Sequence, residues 1–117
     1  MRYLLIIHGD EKAQATATKA EKEQVFAAYM TYTNELKQAG VMLGGDALLP
    51  SMQGAKVTVR GGKRSVVDGP FQETKEVIGG YYLIQCDTLD EAKSWAAKCP
   101  GASHGTMEVR AVMDYPG

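Results

Sequence analysis

The chain is poor in the residues that build metal and redox centres. Among its 117 residues are two histidines, His8 and His104, and two cysteines, Cys86 and Cys99. The cysteines are too far apart for a CxxC pair, and no pairing of His with His or His with Cys has metal-site spacing. No metal and no cofactor are therefore expected. Long apolar runs are also missing: nothing approaches the roughly 18 residues needed to span a bilayer, so no membrane partner is expected. The apolar opening Tyr3-Leu4-Leu5-Ile6-Ile7 lacks the small-residue cleavage site of a signal peptide and reads as a first strand. Charge of one sign is lacking as well. Thirteen Lys and Arg against 14 Asp and Glu leave a net charge of −1, which argues against gripping a nucleic-acid backbone by bulk charge. The glycine pairs Gly44-Gly45 and Gly79-Gly80 lack phosphate-loop spacing. Two thiols and no sign of export point to a reduced, cytoplasmic protein.

The residues present predict one α+β domain over 1–117. Residues 2–8 are apolar at nearly every position, the pattern of a central strand. Residues 10–17 are polar and alanine-rich and read as a connecting loop with a mobile tip. Thr18 with Glu21 forms a capping-box signature. Val25, Ala28, Tyr29, Tyr32, Leu36 and Ala39 then follow at helical spacing, and Gly40 supplies the left-handed stop. Val41 to Leu49 is an apolar strand interrupted by Gly44-Gly45, which marks a bulge or a close backbone approach. Ala55–Arg60 and Lys63–Val67 flank Gly61-Gly62 as a β-hairpin. Val77–Cys86 reads as a strand beside the first. Thr88 with Glu91 starts a second helix whose stripe is Leu89, Ala92, Trp95, Ala96 and Cys99, and Pro100 stops it. Residues 101–105 read as a glycine-rich loop, and Thr106 to Asp114 alternates as a last strand. The order is a ferredoxin-like βαββαβ plan with an inserted hairpin.

Two helices cover one face of such a sheet. Strands Tyr3–Ile7 and Tyr81–Ile84 are apolar on both faces, so the second face predicts a homodimer packed sheet against sheet.

Chemistry is concentrated between Val66 and Glu76. Asp68-Gly69-Pro70 is a rigid turn with a carboxylate at its entrance, and Phe71 is its apolar anchor. Glu73 and Lys75, two apart, share a direction if extended. Asp68, Glu73 and Lys75 are the candidate catalytic residues. For Asp68 the competing reading is a turn cap, and for Glu73 and Lys75 a solvated pair. Candidate ligand-binding residues are Asp46 beside the glycine pair, Arg110 on the last strand, Tyr32 through its hydroxyl, and His8 as a proton shuttle at a strand end. Against these stand a bulge, a core aromatic and a satisfied rim histidine. Lys56, Arg60, Lys63 and Arg64 make the hairpin basic, a solvated arm or a contact for an acidic partner.

Asp68-Gly69-Pro70-Phe71 with Glu73-Thr74-Lys75-Glu76 closely resembles the YCII-related family, in its DGPF branch. Tyr3-Leu4-Leu5-Ile6, Gly44-Gly45-Asp46, Gly79-Gly80-Tyr81-Tyr82, Trp95 to Pro100 and Glu108-Val109-Arg110 extend the resemblance over nearly the whole chain. It implies a dimeric α+β barrel and a small-molecule site in a cleft between helices and sheet. It also implies an association with alternative sigma factors. The YciI-like branch carries a helix histidine proposed to pair with an aspartate. Here Tyr29 stands at that position, so the resemblance does not carry that dyad over. Two functions follow as expectations: a homodimeric small-molecule binder or enzyme, and a non-catalytic module beside sigma-factor systems.

Overall fold

The computed structural model describes residues 1–70 and 75–115. Phe71 and Glu73 lie outside them. The elements in order are β1 (Arg2–Gly9), α1 (Glu11–Ala15), α2 (Lys19–Gln38), β2 (Met42–Ala47), a 3-10 turn (Ser51–Gln53), β3 (Ala55–Arg60), β4 (Lys63–Asp68), β5 (Val77–Gln85), α3 (Leu89–Lys98), α4 (Gly101–His104) and β6 (Thr106–Ala111). The four-stranded sheet runs β2-β5-β1-β6 with antiparallel neighbours, while β3 and β4 form a separate two-stranded ribbon. This is the expected α+β, ferredoxin-like plan with its inserted hairpin.

Two segments expected as loops are helical. Asp10 ends β1, and its carboxylate accepts from the N–H groups of Lys12 (3.0 Å) and Ala13 (3.2 Å), so its side chain caps a short α1. At residues 101–105, Pro100 leads into α4, where Gly105 N–H reaches the Gly101 carbonyl at 2.8 Å. Gly101 is there for packing: a Cβ on it would sit 2.9 Å from Tyr29 Oη and 3.0 Å from Ile7 Cγ2. Composition suggested a loop because it does not distinguish a glycine needed for close approach from one needed for a turn.

The capping box of α2 is complete, with Glu21 N–H on Thr18 Oγ1 and Thr18 N–H on Glu21 Oε1. In α3 only half of it forms: Glu91 N–H bonds Thr88 Oγ1, but the Glu91 carboxylate accepts from Asp87 N–H. The expected apolar stripe of α2 is buried only at Tyr32 and Leu36, with Tyr29 half-buried. Val25, Phe26 and Met30 are exposed.

Helices cover one face of the sheet. The core there is Tyr3, Leu5, Tyr82 and Ile84 from β1 and β5, closed by Tyr32, Leu36, Ala92, Ala96 and Cys99. Tyr32 and Tyr82 meet edge to face at 5.2 Å, and the Tyr82 hydroxyl shares a hydrogen bond with Thr33 Oγ1. Among the described residues, no buried side-chain nitrogen or oxygen lacks a partner.

The glycine signals hold in detail. β2 bulges between Met42 and Gly44, and a Cβ on Gly45 would lie 2.9 Å from both the Tyr81 carbonyl and the Tyr82 ring. Gly61 and Gly62 both have positive φ, the requirement of a two-residue type I′ hairpin.

Candidate functional site

The register assigns alternate residues of each strand to opposite faces. Tyr3, Leu5, Tyr82 and Ile84 point to the helices, so Leu4, Ile6, His8, Tyr81 and Leu83 point to the open face. β6 adds Thr106, Glu108 and Arg110. Following cross-strand partners gives two rows on that face: Asp46, Tyr81, Ile6, Glu108, and beside it Gly44, Leu83, Leu4, Arg110. The open face thus has an apolar middle and polar groups at its two edges.

At the β2 edge, Tyr81 Oη donates to Asp46 Oδ2 at 2.8 Å. That bond, and then the carboxylate's charge, holds the Tyr81 phenol above its usual pKa. At the β6 edge, His8 Nε2 lies 2.8 Å from Glu108 Oε1, and Arg110 Nη1 donates to Glu108 Oε2 at 3.2 Å. The His8 bond first, and the Arg110 bond second, keep the Glu108 carboxyl below its usual range. A carboxylate fixing one nitrogen of an imidazole is the arrangement that orients a general base.

Asp46 and Glu108 are three strand spacings apart, about 14 Å. One small ligand on a single chain does not touch both.

The His8 edge opens at the end of the sheet. Thr106, cross-strand neighbour of His8, donates to Glu76 Oε1 at 3.0 Å. A Cβ on Gly105 would sit 3.2 Å from Glu76 Oε2, and much closer still to the His8 carbonyl. Beyond Glu76 is an open cavity of about 750 Å³ lined by Asp10, Ala13, Lys75, Glu76 and His104. A second, more apolar groove of about 550 Å³ runs past Leu48 to Pro50 and Val77 to Ile78, and Glu76 borders it too. Neither is lined by the core residues that pack between the helices and the sheet.

The sequence candidates divide accordingly. His8 and Arg110 meet on Glu108, and Asp46 occupies the far edge of the same face. Lys75 lines the cavity. Asp68 ends β4 opposite Ala55, exposed at the foot of the hairpin. Tyr32 requires correction: it is 2% exposed in the core, and its hydroxyl donates to the Trp95 carbonyl at 2.7 Å, so it holds α2 to α3. Burial raises its phenol pKa well above the ordinary value, as it does for Tyr29. Glu73 lies outside the described residues.

Sequence reasoning missed Glu108, Glu76, Asp10 and His104 as site residues. Glu108 was legible as the residue two before Arg110 on an alternating strand. Asp10 and His104 come in through the segments after β1 and α3, and Glu76 through the approach to β5. Among the described residues no group of three His, Cys, Asp or Glu is placed to hold a metal ion, and no helix is long and apolar enough to cross a membrane. Cys86 and Cys99 are free and buried, and burial raises both thiol pKa values.

Comparison with known proteins agrees with the motifs. The family model for the YCII-related domain matches residues 1–116. An uncharacterized protein of Rhizobium meliloti (strain 1021) is 35% identical over 120 residues, an alignment covering 100% of this chain and 97% of that protein. The chain belongs to the YCII-related family.

Proposed function

We propose that the protein is a homodimeric, cytoplasmic binder of small polar molecules, and a candidate enzyme, whose site joins the His8 edge of the open sheet face to the cavity beside it. The observation that carries this reading is the chain Arg110, Glu108, His8 beside an open space walled by Asp10, Lys75, Glu76 and His104. Acids and bases of both signs around one opening suit a polar substrate, and His8, held by Glu108, is the group placed to pass on a proton. The half-buried Leu4, Ile6 and Leu83 leave an apolar strip that a second sheet would cover. Glu73 and Asp68 belong to the same motif and remain catalytic candidates beside Lys75. Asp46 marks a second polar edge.

The test is a thermal-shift screen of metabolites followed by calorimetric titration of the hits. At least one polar ligand should raise the melting temperature, with binding weakened tenfold or more in His8→Gln and in Lys75→Ala, a loss of about 1.4 kcal/mol. Hits indifferent to both substitutions and to His104→Ala would place the site elsewhere. A second reading, a regulatory module beside sigma-factor systems, is favoured by the basic hairpin. It requires that charge reversal at Lys63 and Arg64 abolish capture of a transcription partner.

A further inference from the structure

In the cavity beside the His8 edge the acids are anchored and the cations are not. Asp10 Oδ1 accepts from the N–H groups of Lys12 and Ala13, at 3.0 and 3.2 Å, and Glu76 Oε1 accepts from Thr106 Oγ1 at 3.0 Å. Helix α1, which brings Ala13 to the cavity, is clamped in turn. Both oxygens of Glu11 accept from Ser51, the N–H at 2.7 Å and the hydroxyl at 2.6 Å. Each cavity acid therefore gives one oxygen to neutral donors of its own chain. Among the described residues, Asp10 Oδ2 and Glu76 Oε2 accept from nothing.

Lys75 and His104 line the same cavity and are exposed. Among the described residues neither has a hydrogen-bond or ion-pair partner, although two carboxylates border the space with them. Opposite charges thus share an opening of about 750 Å³ without closing on one another. The acids are not arranged for a metal ion either, since no three His, Cys, Asp or Glu among the described residues are placed to hold one. What they offer is two separate, fixed oxygens, which suit the several N–H donors of an ammonium group.

We infer that the ligand of this cavity is a small zwitterion, a free amino acid, with its ammonium on Asp10 and Glu76 and its carboxylate on Lys75 and His104. The inference rests on the small-molecule reading above and names the ligand class for it. Charge decides among the classes. A dicarboxylate or a phosphate ester would satisfy the two cations but set like charge against two anchored carboxylates. A simple amine would satisfy the acids and meet repulsion from Lys75. A molecule that carries separated charges of both signs meets all four side chains at once. Because the helix cap and Thr106 hold the acids before a ligand arrives, little ordering is needed on the ammonium side. On the other side Lys75 is the adaptable donor, and a ring N–H of His104 can donate whether or not the imidazole is charged.

The test is a thermal-shift series of the full chain with the common L-amino acids and γ-aminobutyrate. Calorimetric titration then compares the strongest hit with its decarboxylated amine and its deaminated acid. At least one amino acid should raise the melting temperature, and each one-sided counterpart should bind about tenfold or more weakly. Asp10→Asn and Glu76→Gln should each weaken the amino acid by about tenfold and leave the deaminated acid equal or tighter, a crossed response that a misfolded variant does not give. Both changes preserve the anchoring, because Asn caps a helix about as well as Asp and Gln still offers Thr106 an oxygen. Lys75→Met should weaken the amino acid and the deaminated acid alike and spare the amine. An amino-acid hit indifferent to Asp10→Asn and Glu76→Gln overturns the assignment. If no amino acid binds while a dicarboxylate, a phosphate ester or a simple amine binds in a Lys75-dependent way, the zwitterion falls and the small-molecule site stands. If no polar metabolite of any class binds, both readings fall.

Discussion

The two faces of the four-stranded sheet are built from the same strands, and their apolar residues differ by one position in register. Ile84 and Leu83 are neighbours on β5. The first is fully buried under α2 and α3, and the second is half-buried on the face the helices leave open. On the helix side the polar groups are tied into the core: Tyr32 to the Trp95 carbonyl, Tyr82 to Thr33. On the open side they stand at the edges and bond to one another, Tyr81 to Asp46 and Glu108 to both His8 and Arg110. Apolar content alone therefore does not separate a covered face from an open one. The cover makes the difference.

The largest effect expected to sharpen this contrast is at that pair of neighbours. Ile84→Ala removes a side chain with no solvent contact and should cost about 3 kcal/mol at every protein concentration, from transfer and cavity terms together. Leu83→Ala should cost about 1 kcal/mol in dilute protein and more as concentration rises, because its face is covered only in the proposed dimer. Urea unfolding at two protein concentrations reads both. If the Leu83 deficit is independent of concentration, the open face is not an interface.

Next in size is Tyr32→Phe, which keeps the ring and strips the hydroxyl from the Trp95 carbonyl. The loss at neutral pH should be about 1 kcal/mol. Burial raises the Tyr32 pKa, so this phenol stabilises the fold below the ordinary phenol pKa of about 10 and loses that contribution as pH rises beyond it. The wild type should therefore weaken more steeply than Tyr32→Phe in alkaline urea titrations. Parallel curves would mean that Tyr32 ionises as freely as it does in the unfolded chain.

The closed face was largely legible in the sequence because periodicity, capping and glycine placement act locally. Thr18 with Glu21, Gly40, and Gly61-Gly62 each decide a few backbone angles on their own. The failures came where a residue serves a distant neighbour. Asp10 reads as loop by composition and caps a helix. Gly101 reads as loop and lets Tyr29 approach. Tyr32 offers a hydroxyl to a ligand on paper, and in the fold the Trp95 carbonyl takes it. On the open face, Arg110 on an alternating strand and His8 at a strand end are candidates from the sequence, which does not show that Glu108 joins them. That link depends on the β1–β6 register, which no local pattern encodes.

The smallest expected effect concerns that link. Glu108 is held below the usual carboxyl pKa by His8 first and Arg110 second. A group depressed in the folded state stabilises it above the unfolded pKa, about 4.3 for glutamate, and the contribution disappears as pH falls through the lower folded value. In Glu108→Gln the amide still offers an oxygen to Arg110 but does not titrate. The wild type should thus lose stability more steeply than Glu108→Gln below about pH 4.3, with little difference near neutrality because the edge is solvent-screened. Urea midpoints measured stepwise across the acid range give the two slopes. Equal slopes would reduce His8, Glu108 and Arg110 to independent surface residues; a steeper wild-type slope establishes the three as one coupled group on the open face of the sheet, unlike the Asp46–Tyr81 pair at its other edge.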